Sequence, residues 1–150
     1  MTGHGLHRAE RRNGVEVAYG GVVIDEQSRV LLREPSDHYG GYVWTFAKGR
    51  PDPGDQPTDT ALREVREELG VEAAIVAEIA GWFVGTTTDT RMFVMCPVVE
   101  NGDFHGETAR VRWVSFAEAE VLLAQTTSST GRARDLAILE AARRAWEDHR

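Results

Sequence analysis

The sequence has few of the features that mark secreted and membrane proteins. It contains one cysteine, Cys96, so an internal disulfide is impossible, and a reducing compartment such as the cytoplasm is expected. Its first residues, MTGHGLHRAERRNG, are polar and lack the apolar core of a secretory signal. No apolar run approaches the ~20 residues that a membrane span needs, so no membrane partner is expected.

Positive charge is also scarce. The chain has 17 lysine and arginine residues against 24 aspartate and glutamate residues, which gives a formal net charge of −7. This balance argues against a protein that binds nucleic acid nonspecifically, because such a protein needs a basic face. If the ligand is an anion, a local cation is required to reverse the field around it.

The 150 residues fit one domain with a substantial core, and no repeat or linker divides them. Residues 1–14 are mildly basic and are predicted to form a mobile N-terminal arm, which leaves residues 15–150 as a single domain. Several strand-like segments are joined by short turns and do not alternate regularly with helices. The pattern favours an α+β fold or a sandwiched α/β layout with a mixed sheet over a doubly wound one.

Glycine and proline divide the chain into elements. Gly20 and Gly21, inside the first strand, indicate a bulge or the close approach of another segment. Residues 48–57, KGRPDPGDQP, are predicted to be a loop, and the helix after it begins near Pro57 and ends near Gly70. The predicted strands are 15–25, 29–34, 42–46, 73–84, 90–99 and 111–115, and the predicted later helices are 116–124 and 133–149.

The segment ALREVREELGV, residues 61–71, carries three glutamates within five positions: Glu64, Glu67 and Glu68. At about 100° per residue they share an arc of about 100° on one side of a helix, opposite a row of aliphatic residues. Arg63 is placed to pair with Glu67 at i,i+4, which leaves two carboxylates without a helical partner. Either the helix face is simply solvated, or a hard cation such as Mg²⁺ or Mn²⁺ compensates the charge.

The flanking loop favours the cation. It carries Lys48 and Arg50 among glycines and prolines, so it could bring backbone N–H groups and positive charge to an anion. A phosphate-binding loop beside a metal-binding face is an arrangement for phosphoryl chemistry.

The segment 49–71 resembles the Nudix box, the motif of a family of hydrolases that includes the MutT-like enzymes. The matching residues are Gly49, Asp55, Arg63, Glu64, Val65, Glu67, Glu68, Gly70 and Val71. The one departure is Asp55, where the family has glutamate. Segments such as AYGGVVI, WTFAKG and VRWVSFAEAEVLL extend the resemblance over roughly residues 15–145. It implies a Nudix-type α/β/α sandwich with a mixed β-sheet.

The resemblance also implies a metal site. Glu64, Glu67 and Glu68 would ligate Mg²⁺ or Mn²⁺, and the backbone carbonyl of Lys48 or Gly49 would complete the shell.

Three further box residues have supporting roles in this interpretation. Arg63 would orient the glutamates, and Gly70 would end the helix. Asp55, one methylene shorter than the family's glutamate, would either hold Arg63 or cap the helix.

The implied chemistry is hydrolysis of a diphosphate linked to another group, by attack of water on phosphorus. The general base is either a box glutamate or an acid in a loop before the late strand. In that loop Glu107 is the first candidate and Glu100 the second.

The stretch WTFAKG is similar to the W-F-P-K-G signature of Nudix enzymes that cut dinucleoside polyphosphates such as diadenosine tetraphosphate, with Ala47 where proline is usual. In this interpretation basic residues contact the phosphates and an aromatic side chain stacks on a base. The candidates are Lys48, Arg33 and Arg50 for the phosphates and Tyr42, Trp82 and Phe83 for the base. His38 and His105 have no metal-ligand spacing and are expected to be ordinary loop residues.

Other functions remain open. The box does not distinguish a dinucleoside polyphosphate from a nucleotide sugar, an oxidised nucleoside triphosphate or an inositol pyrophosphate. A nucleotide-binding module without activity and a structural protein with an acidic helix are the alternatives of another class. The expected partner is a small nucleotide or polyphosphate, with no nucleic acid and no membrane, bound by a monomer or a homodimer.

Overall fold

The computed structural model describes residues 10–150, and residues 1–9 of the predicted arm lie outside that range. Eight strands, a short 3₁₀ segment and three helices make up this part of the chain. In chain order they are β1 (Arg11–Arg12), β2 (Val15–Val23), β3 (Arg29–Pro35), the 3₁₀ segment (Ser36–Gly41), β4 (Ala47–Gly49), α1 (Pro57–Leu69), β5 (Val71–Glu78), β6 (Phe83–Val84), β7 (Thr88–Glu100), β8 (Thr108–Ser115), α2 (Phe116–Leu123) and α3 (Ser129–His149).

The main sheet is mixed. Its central strands β2 and β7 run parallel, with Glu16 opposite Thr88 and Val23 opposite Met95, while β1, β4, β5 and β6 add to them antiparallel. Strands β3 and β8 form a separate antiparallel pair. The predicted α+β fold with a mixed sheet is confirmed.

The main sheet separates two apolar clusters. Because side chains alternate along a strand, β2 sends Val17 and Val23 to one face and Val22 to the other. Helix α1 covers the first face with Val65 and Leu69 among the buried residues, and α2 and α3 pack on the second. Helices therefore cover both faces, as the predicted sandwich requires.

Helix α1 has clear start and stop signals. Gln56 is its N-cap and forms a reciprocal capping box with Asp59, and Pro57 opens the first turn. Gly70 ends the helix with φ +69°, a left-handed conformation that glycine adopts at little cost. The predicted aliphatic side of this helix is buried. The cap is Gln56 and not Asp55.

The glycine pair in β2 leaves room for the backbone of β4 and for a side chain of β7. A Cβ on Gly20 would lie 2.1 Å from the carbonyl oxygen of Ala47 in β4, and one on Gly21 would lie 2.6 Å from the end of the Met95 side chain. Strand β4 is thereby held directly against the centre of the sheet. The start of the loop that leads to α1 is therefore fixed relative to the sheet.

Three local predictions were wrong. The strand expected at 42–46 is instead β4 at Ala47–Gly49, and only Thr45 forms an isolated bridge to Arg33. The loop therefore begins after Gly49. The strand predicted at 73–84 is divided into β5 and β6, and the single cysteine, Cys96, is half-buried on β7.

Residues 10–14, which the sequence assigns to a mobile arm, are part of the folded domain. Strand β1 pairs with the start of β2. Arg12 forms an ion pair with Asp89 at 2.5 Å, and its guanidinium lies 5.0 Å from the ring centre of Trp82. The charged side chain thus anchors the segment to β7 and to the turn before β6.

Helix α3 is the longest helix, and its apolar side packs on the sheet. Ile138, Leu139, Ala142 and Trp146 recur at helical spacing and are buried there. In residues 10–150, no helix combines the length and the apolar character needed to cross a bilayer.

Candidate active site

The acidic side of α1 faces a cavity of about 500 Å³ between the helix and the loop that precedes β8. Glu64, Glu67 and Glu68 line it from the helix, and His105 and Glu107 line it from the loop, together with Gly106. The structure therefore brings the three box glutamates together with Glu107. Glu100 does not line this cavity and instead accepts a hydrogen bond from the Trp113 indole at 2.8 Å.

Backbone hydrogen bonds fix the loop against the end of α1. The amides of Asn101 and Gly102 both donate to the carbonyl oxygen of Gly70 at 3.1 Å, and the amide of His105 donates to that of Glu67 at 2.9 Å. These carbonyls lie in the last turn and at the C-cap of the helix, where some oxygens have no intrahelical partner. The loop thus completes the helix end and carries Glu107 to the glutamates.

Strand β4 forms the adjoining wall. The amide of Lys48 donates to Glu68 Oε1 at 3.1 Å. A Cβ on Gly49 would lie 2.2 Å from Cδ of Glu64, so only glycine leaves room for this carboxylate. Backbone and carboxylates are therefore in direct contact where the box resemblance implies a carbonyl ligand.

The carboxylates lie where negative charge is poorly solvated. Burial, with the neighbouring Glu67 charge, raises the pKa of Glu64 above its ordinary value. Burial also raises the pKa of Glu68 to about 7, although the Arg33 charge opposes the shift. Such a cluster is stabilised by a bound cation, and its all-oxygen donors suit a hard divalent ion.

The carboxylate oxygens of these glutamates suit such an ion chemically. In this structure, however, the three side chains do not point to a common position. Within residues 10–150, no three histidine, cysteine, aspartate or glutamate side chains already converge at metal-ligand spacing. Rotation of the glutamates, which are mobile about several bonds, would be needed to assemble the ligands.

Asp55 holds Arg63. Arg63 Nη1 donates to Asp55 Oδ2 at 2.5 Å, and this hydrogen bond lowers the pKa of Asp55 and raises the pKa of Arg63. Arg63 also lies 3.5 Å from Glu64 and donates to the carbonyl oxygen of Arg50. Within the described part of the chain it forms no ion pair with Glu67, so the predicted i,i+4 pair was wrong. The shorter acid at residue 55 reaches the arginine.

Arg33 connects the two walls of the cavity. It is buried, donates from Nη2 to the Glu107 carbonyl at 2.7 Å and from Nε to the Thr108 hydroxyl at 2.8 Å, and keeps Nη1 3.9 Å from Glu68. The sequence predicts Arg33 as a phosphate ligand. Its donors are instead directed mainly to the loop and to Glu68.

The other predicted substrate residues are dispersed. Arg50 forms an ion pair with Glu16 at 2.8 Å on the surface. Trp82 lines a different cavity, beside α3. The guanidinium group of Arg12 lies 5.0 Å from its ring centre, and that of Arg91 lies 5.6 Å from it. Tyr42 lies at the start of α3. None of these side chains lines the glutamate cavity.

Lys48 lies between the glutamate cavity and a buried ion pair that sequence reasoning missed. Burial, followed by the nearby charge of Arg134, lowers the pKa of Lys48 to about 8. Arg134 and Asp135 are buried near the start of α3, and the Thr45 hydroxyl donates to Asp135 Oδ2 at 2.6 Å. Charged neighbours in a helix are usually solvated, so the sequence held no signal for this pair.

His105 was also missed as a site residue. Its amide is bonded to α1 and its side chain lines the glutamate cavity. In the sequence, the one indication that His105 belongs to the site is its position two residues before Glu107.

Comparison with known proteins identifies the family of the chain. A family model described as the NUDIX domain matches residues 15–137. The chain belongs to the Nudix family. The resemblance predicted from the box is thereby confirmed over most of the chain.

Individual curated proteins match shorter segments. The mouse bis(5'-nucleosyl)-tetraphosphatase (asymmetrical) is 48% identical over 52 residues, 35% of this chain and 34% of that protein. The CTP pyrophosphohydrolase of Escherichia coli is 32% identical over 60 residues, 39% of this chain and 44% of that protein. The chain therefore spans less than half of the length of these curated relatives.

The fold match is more extensive than the sequence matches. A solved Ap4A hydrolase from C. elegans, a binary complex, superposes with a TM-score of 0.68 at 18% identity. The alignment covers 87% of this chain and 98% of that one. At this identity the match concerns the fold alone.

Proposed function

We propose that this Nudix protein hydrolyses a phosphoanhydride bond in a nucleoside diphosphate-linked compound, with a dinucleoside polyphosphate as the favoured substrate. The observation that carries the proposal is the cavity in which Glu64, Glu67, Glu68 and Glu107 meet beside the β4 backbone. Four acids in one cavity are unfavourable without a cation, and phosphoryl transfer depends on a cation to offset charge on the phosphate oxygens.

Glu64, Glu67 and Glu68 would hold the divalent metal, which Nudix hydrolases in general use. Such an ion, Mg²⁺ or Mn²⁺ here, supplies charge neutralisation and a more acidic water. Arg63, fixed by Asp55, keeps positive charge beside Glu64 and so limits the movement of that side chain. This accounts for the acceptance of a polyanion by a chain of net charge −7.

We assign Glu107 as the general base. It comes from the loop and not from the metal-binding helix, so its carboxylate is free to take a proton while the box glutamates serve as ligands. Arg33 holds the Glu107 carbonyl, which sets the position of this residue without neutralising its side chain.

The substrate assignment rests on WTFAKG and on relatives. Nudix proteins named for tetraphosphate cleavage are among those with local sequence similarity and among those with the same fold. A relative named as a CTP pyrophosphohydrolase supports a nucleoside triphosphate as the second candidate. Nucleotide sugars and inositol pyrophosphates remain further alternatives for the same site.

The proposal is tested with a substrate panel. Diadenosine tetraphosphate, CTP, 8-oxo-dGTP, GDP-mannose and ADP-ribose are incubated with the protein and Mg²⁺ or Mn²⁺, and the products are separated by chromatography. We expect ATP and AMP from diadenosine tetraphosphate and no turnover in EDTA. Faster turnover of another compound would reject the substrate and retain the site. No metal-dependent turnover of any of them would contradict the enzyme and favour a module that binds without cleavage.

A further inference from the structure

Arg134 is a buried cation whose donors are not all used. Its side chain is 3% exposed, and Nε donates to Asp135 Oδ1 at 3.1 Å. Nη2 is 3.1 Å from the same oxygen without hydrogen-bond geometry, and among residues 10–150 it has no hydrogen-bond partner. A buried donor without an acceptor destabilises a fold, so its presence calls for a ligand or another function.

The surroundings of Arg134 hold its guanidinium in place. It lies over the ring of Tyr42 at 5.3 Å, and a Cβ on Gly85 would lie 2.8 Å from Nη1. Asp135, its ionic partner, is itself held by the Thr45 hydroxyl. The fold therefore positions this cation from three sides.

Arg134 also lines a second cavity, of about 530 Å³, between β6 and the first turns of α3. Trp82 and Phe83 form one wall, and Ser129, Thr130 and Ala133 form part of the other. Arg134 is the only charged residue that lines it in the described part of the chain. The cavity thus offers aromatic surface, two hydroxyl groups and one buried positive charge.

The local charge balance favours an anion. The positive charges of Lys48 and Arg134 are close enough to repel each other, and Asp135 is the counter-ion near both. Arg33 is paired separately with Glu68. Two cations and one anion leave an excess of one positive charge, in a chain whose net charge is −7. Lys48 also borders the glutamate cavity through its amide on Glu68. Lys48 therefore lies between Arg134 and the glutamate cavity.

We infer that Arg134, with Lys48 beside it, binds a phosphate group of the substrate at a distance from the bond that is cleaved, so that the cavity between β6 and α3 receives that end of the molecule. The inference rests on the proposed function, because the anion is taken to be part of the same substrate. An anion at this wall would offset the charge of Arg134, whose donors Asp135 satisfies only in part. It would also favour compounds with additional phosphates over nucleotide sugars.

The test measures binding without turnover. Isothermal titration calorimetry in EDTA follows ATP, inorganic tripolyphosphate and adenosine with the wild type, with Arg134→Gln/Asp135→Asn and with Arg143→Gln. The double variant replaces both members of the pair by neutral groups of similar shape, so no buried charge is left alone. Arg143, an exposed residue of the same helix that pairs with Glu140 and Glu147, is the control.

We expect the double variant to bind ATP and tripolyphosphate about 10- to 100-fold more weakly, the loss typical of one hydrogen bond to a charged group. Adenosine binding should change less than about twofold, and Arg143→Gln should match the wild type. Equal ATP affinity in the double variant and the wild type would overturn the inference. So would a wild type that binds neither ATP nor tripolyphosphate at millimolar concentration.

A second measurement does not depend on the folding of the double variant. In ¹⁵N-labelled wild type, the Arg134 Nε–Hε signal, assigned by its loss in Arg134→Lys, should shift when tripolyphosphate is added in EDTA. A shift confined to other arginines would overturn the inference. Both experiments are separate from the substrate panel: turnover with unchanged anion binding would reject only the Arg134 site, and anion binding without turnover would reject only the proposed hydrolysis.

Discussion

At the scale of single residues, each of the three box glutamates has different surroundings. Glu64 lies against Gly49 and within 3.5 Å of Arg63, and Glu68 receives the Lys48 amide and faces Arg33. Glu67 lines the cavity and has only its backbone carbonyl bonded to the loop. Its carboxylate is therefore the most available of the three for the proposed metal, and the least involved in holding the fold.

Glu67→Gln should lower kcat by about 100-fold or more, because one charged metal ligand is lost at a site that depends on charge. The thermal melt should remain near that of the wild type, since the side chain makes no core contact. Steady-state kinetics across a Mg²⁺ titration and a circular dichroism melt check both expectations. Glu120→Gln, an exposed glutamate of α2, is the matched control. Unchanged kcat would reject the site assignment.

Glu68→Gln should stabilise the metal-free protein at alkaline pH. The pKa of Glu68 is raised to about 7 from its ordinary 4.5, so the folded state holds an extra proton between these values and stability falls as pH rises through this window. The neutral amide avoids that loss, which is at most about 3 kcal/mol at about 1.4 kcal/mol per pKa unit.

Melts in EDTA at pH 8 and pH 3.5 measure this effect. The variant should have the higher Tm at pH 8, and the difference should disappear at pH 3.5, where the carboxyl is protonated in both states. Glu72→Gln, an exposed residue of β5, should show neither effect. A lower Tm for Glu68→Gln at pH 8 would mean that the ion pair with Arg33 outweighs the burial of charge.

At the scale of elements, β4 is the contact between the sheet and the active site. On one side its backbone pairs with β2 across Gly20, and on the other it meets the carboxylate of Glu64 across Gly49. Both glycines exclude a Cβ, but the atoms that a Cβ would meet differ. At Gly20 it is a backbone oxygen, and at Gly49 it is the end of a side chain that can turn away.

Alanine at Gly20 and alanine at Gly49 should therefore affect different properties of the protein. Gly20→Ala should destabilise the protein by about 1–3 kcal/mol, because β2 and β4 must separate. Gly49→Ala should melt near the wild type but require about tenfold more Mg²⁺ for half-maximal activity, because Glu64 is displaced from the cavity.

Chemical denaturation and metal titration of both variants check this contrast. In the background Glu64→Ala, Gly49→Ala should have no additional effect on metal activation, since the displaced group is gone. If Gly49→Ala destabilises as much as Gly20→Ala, Glu64 is held rigidly, and the interpretation of a movable carboxylate is wrong.

At the scale of the whole molecule, the candidate active site is formed by segments distant in sequence. Arg33 of β3 holds the Glu107 carbonyl and Thr108, and the loop amides hold the end of α1. The position of Glu107 thus depends on the β3–β8 pair and on the helix together. The site should lose its loop carboxylate whenever these contacts are disturbed.

Glu107→Gln should lower kcat by about 10²- to 10⁴-fold, the usual contribution of a general base. Metal activation should be unchanged, which distinguishes it from Glu67→Gln. Steady-state kinetics over a Mg²⁺ titration measures both quantities, with Glu100→Gln as the control. A loss of less than about tenfold would move the base to a box glutamate.

Local patterns predicted much of the molecule because they depend on neighbours in sequence. The spacing of Val65 and Leu69 determines which side of α1 is buried, and Pro57 and Gly70 determine its ends. The box motif placed three glutamates on the other side and led to the correct family. The predicted boundaries of β4 were wrong, because a short strand is defined by its partner in the sheet.

Residue types at fixed spacing specify the family, the mixed fold and the acidic helix. Tertiary packing, by contrast, brings Glu107 to the box glutamates, directs Arg33 to the loop, and buries Arg134 and Asp135 beside Lys48. These features cannot be predicted from spacing because burial and the field of distant charges depend on how elements pack. A single charged residue carries no sign of whether it will face water or another charge.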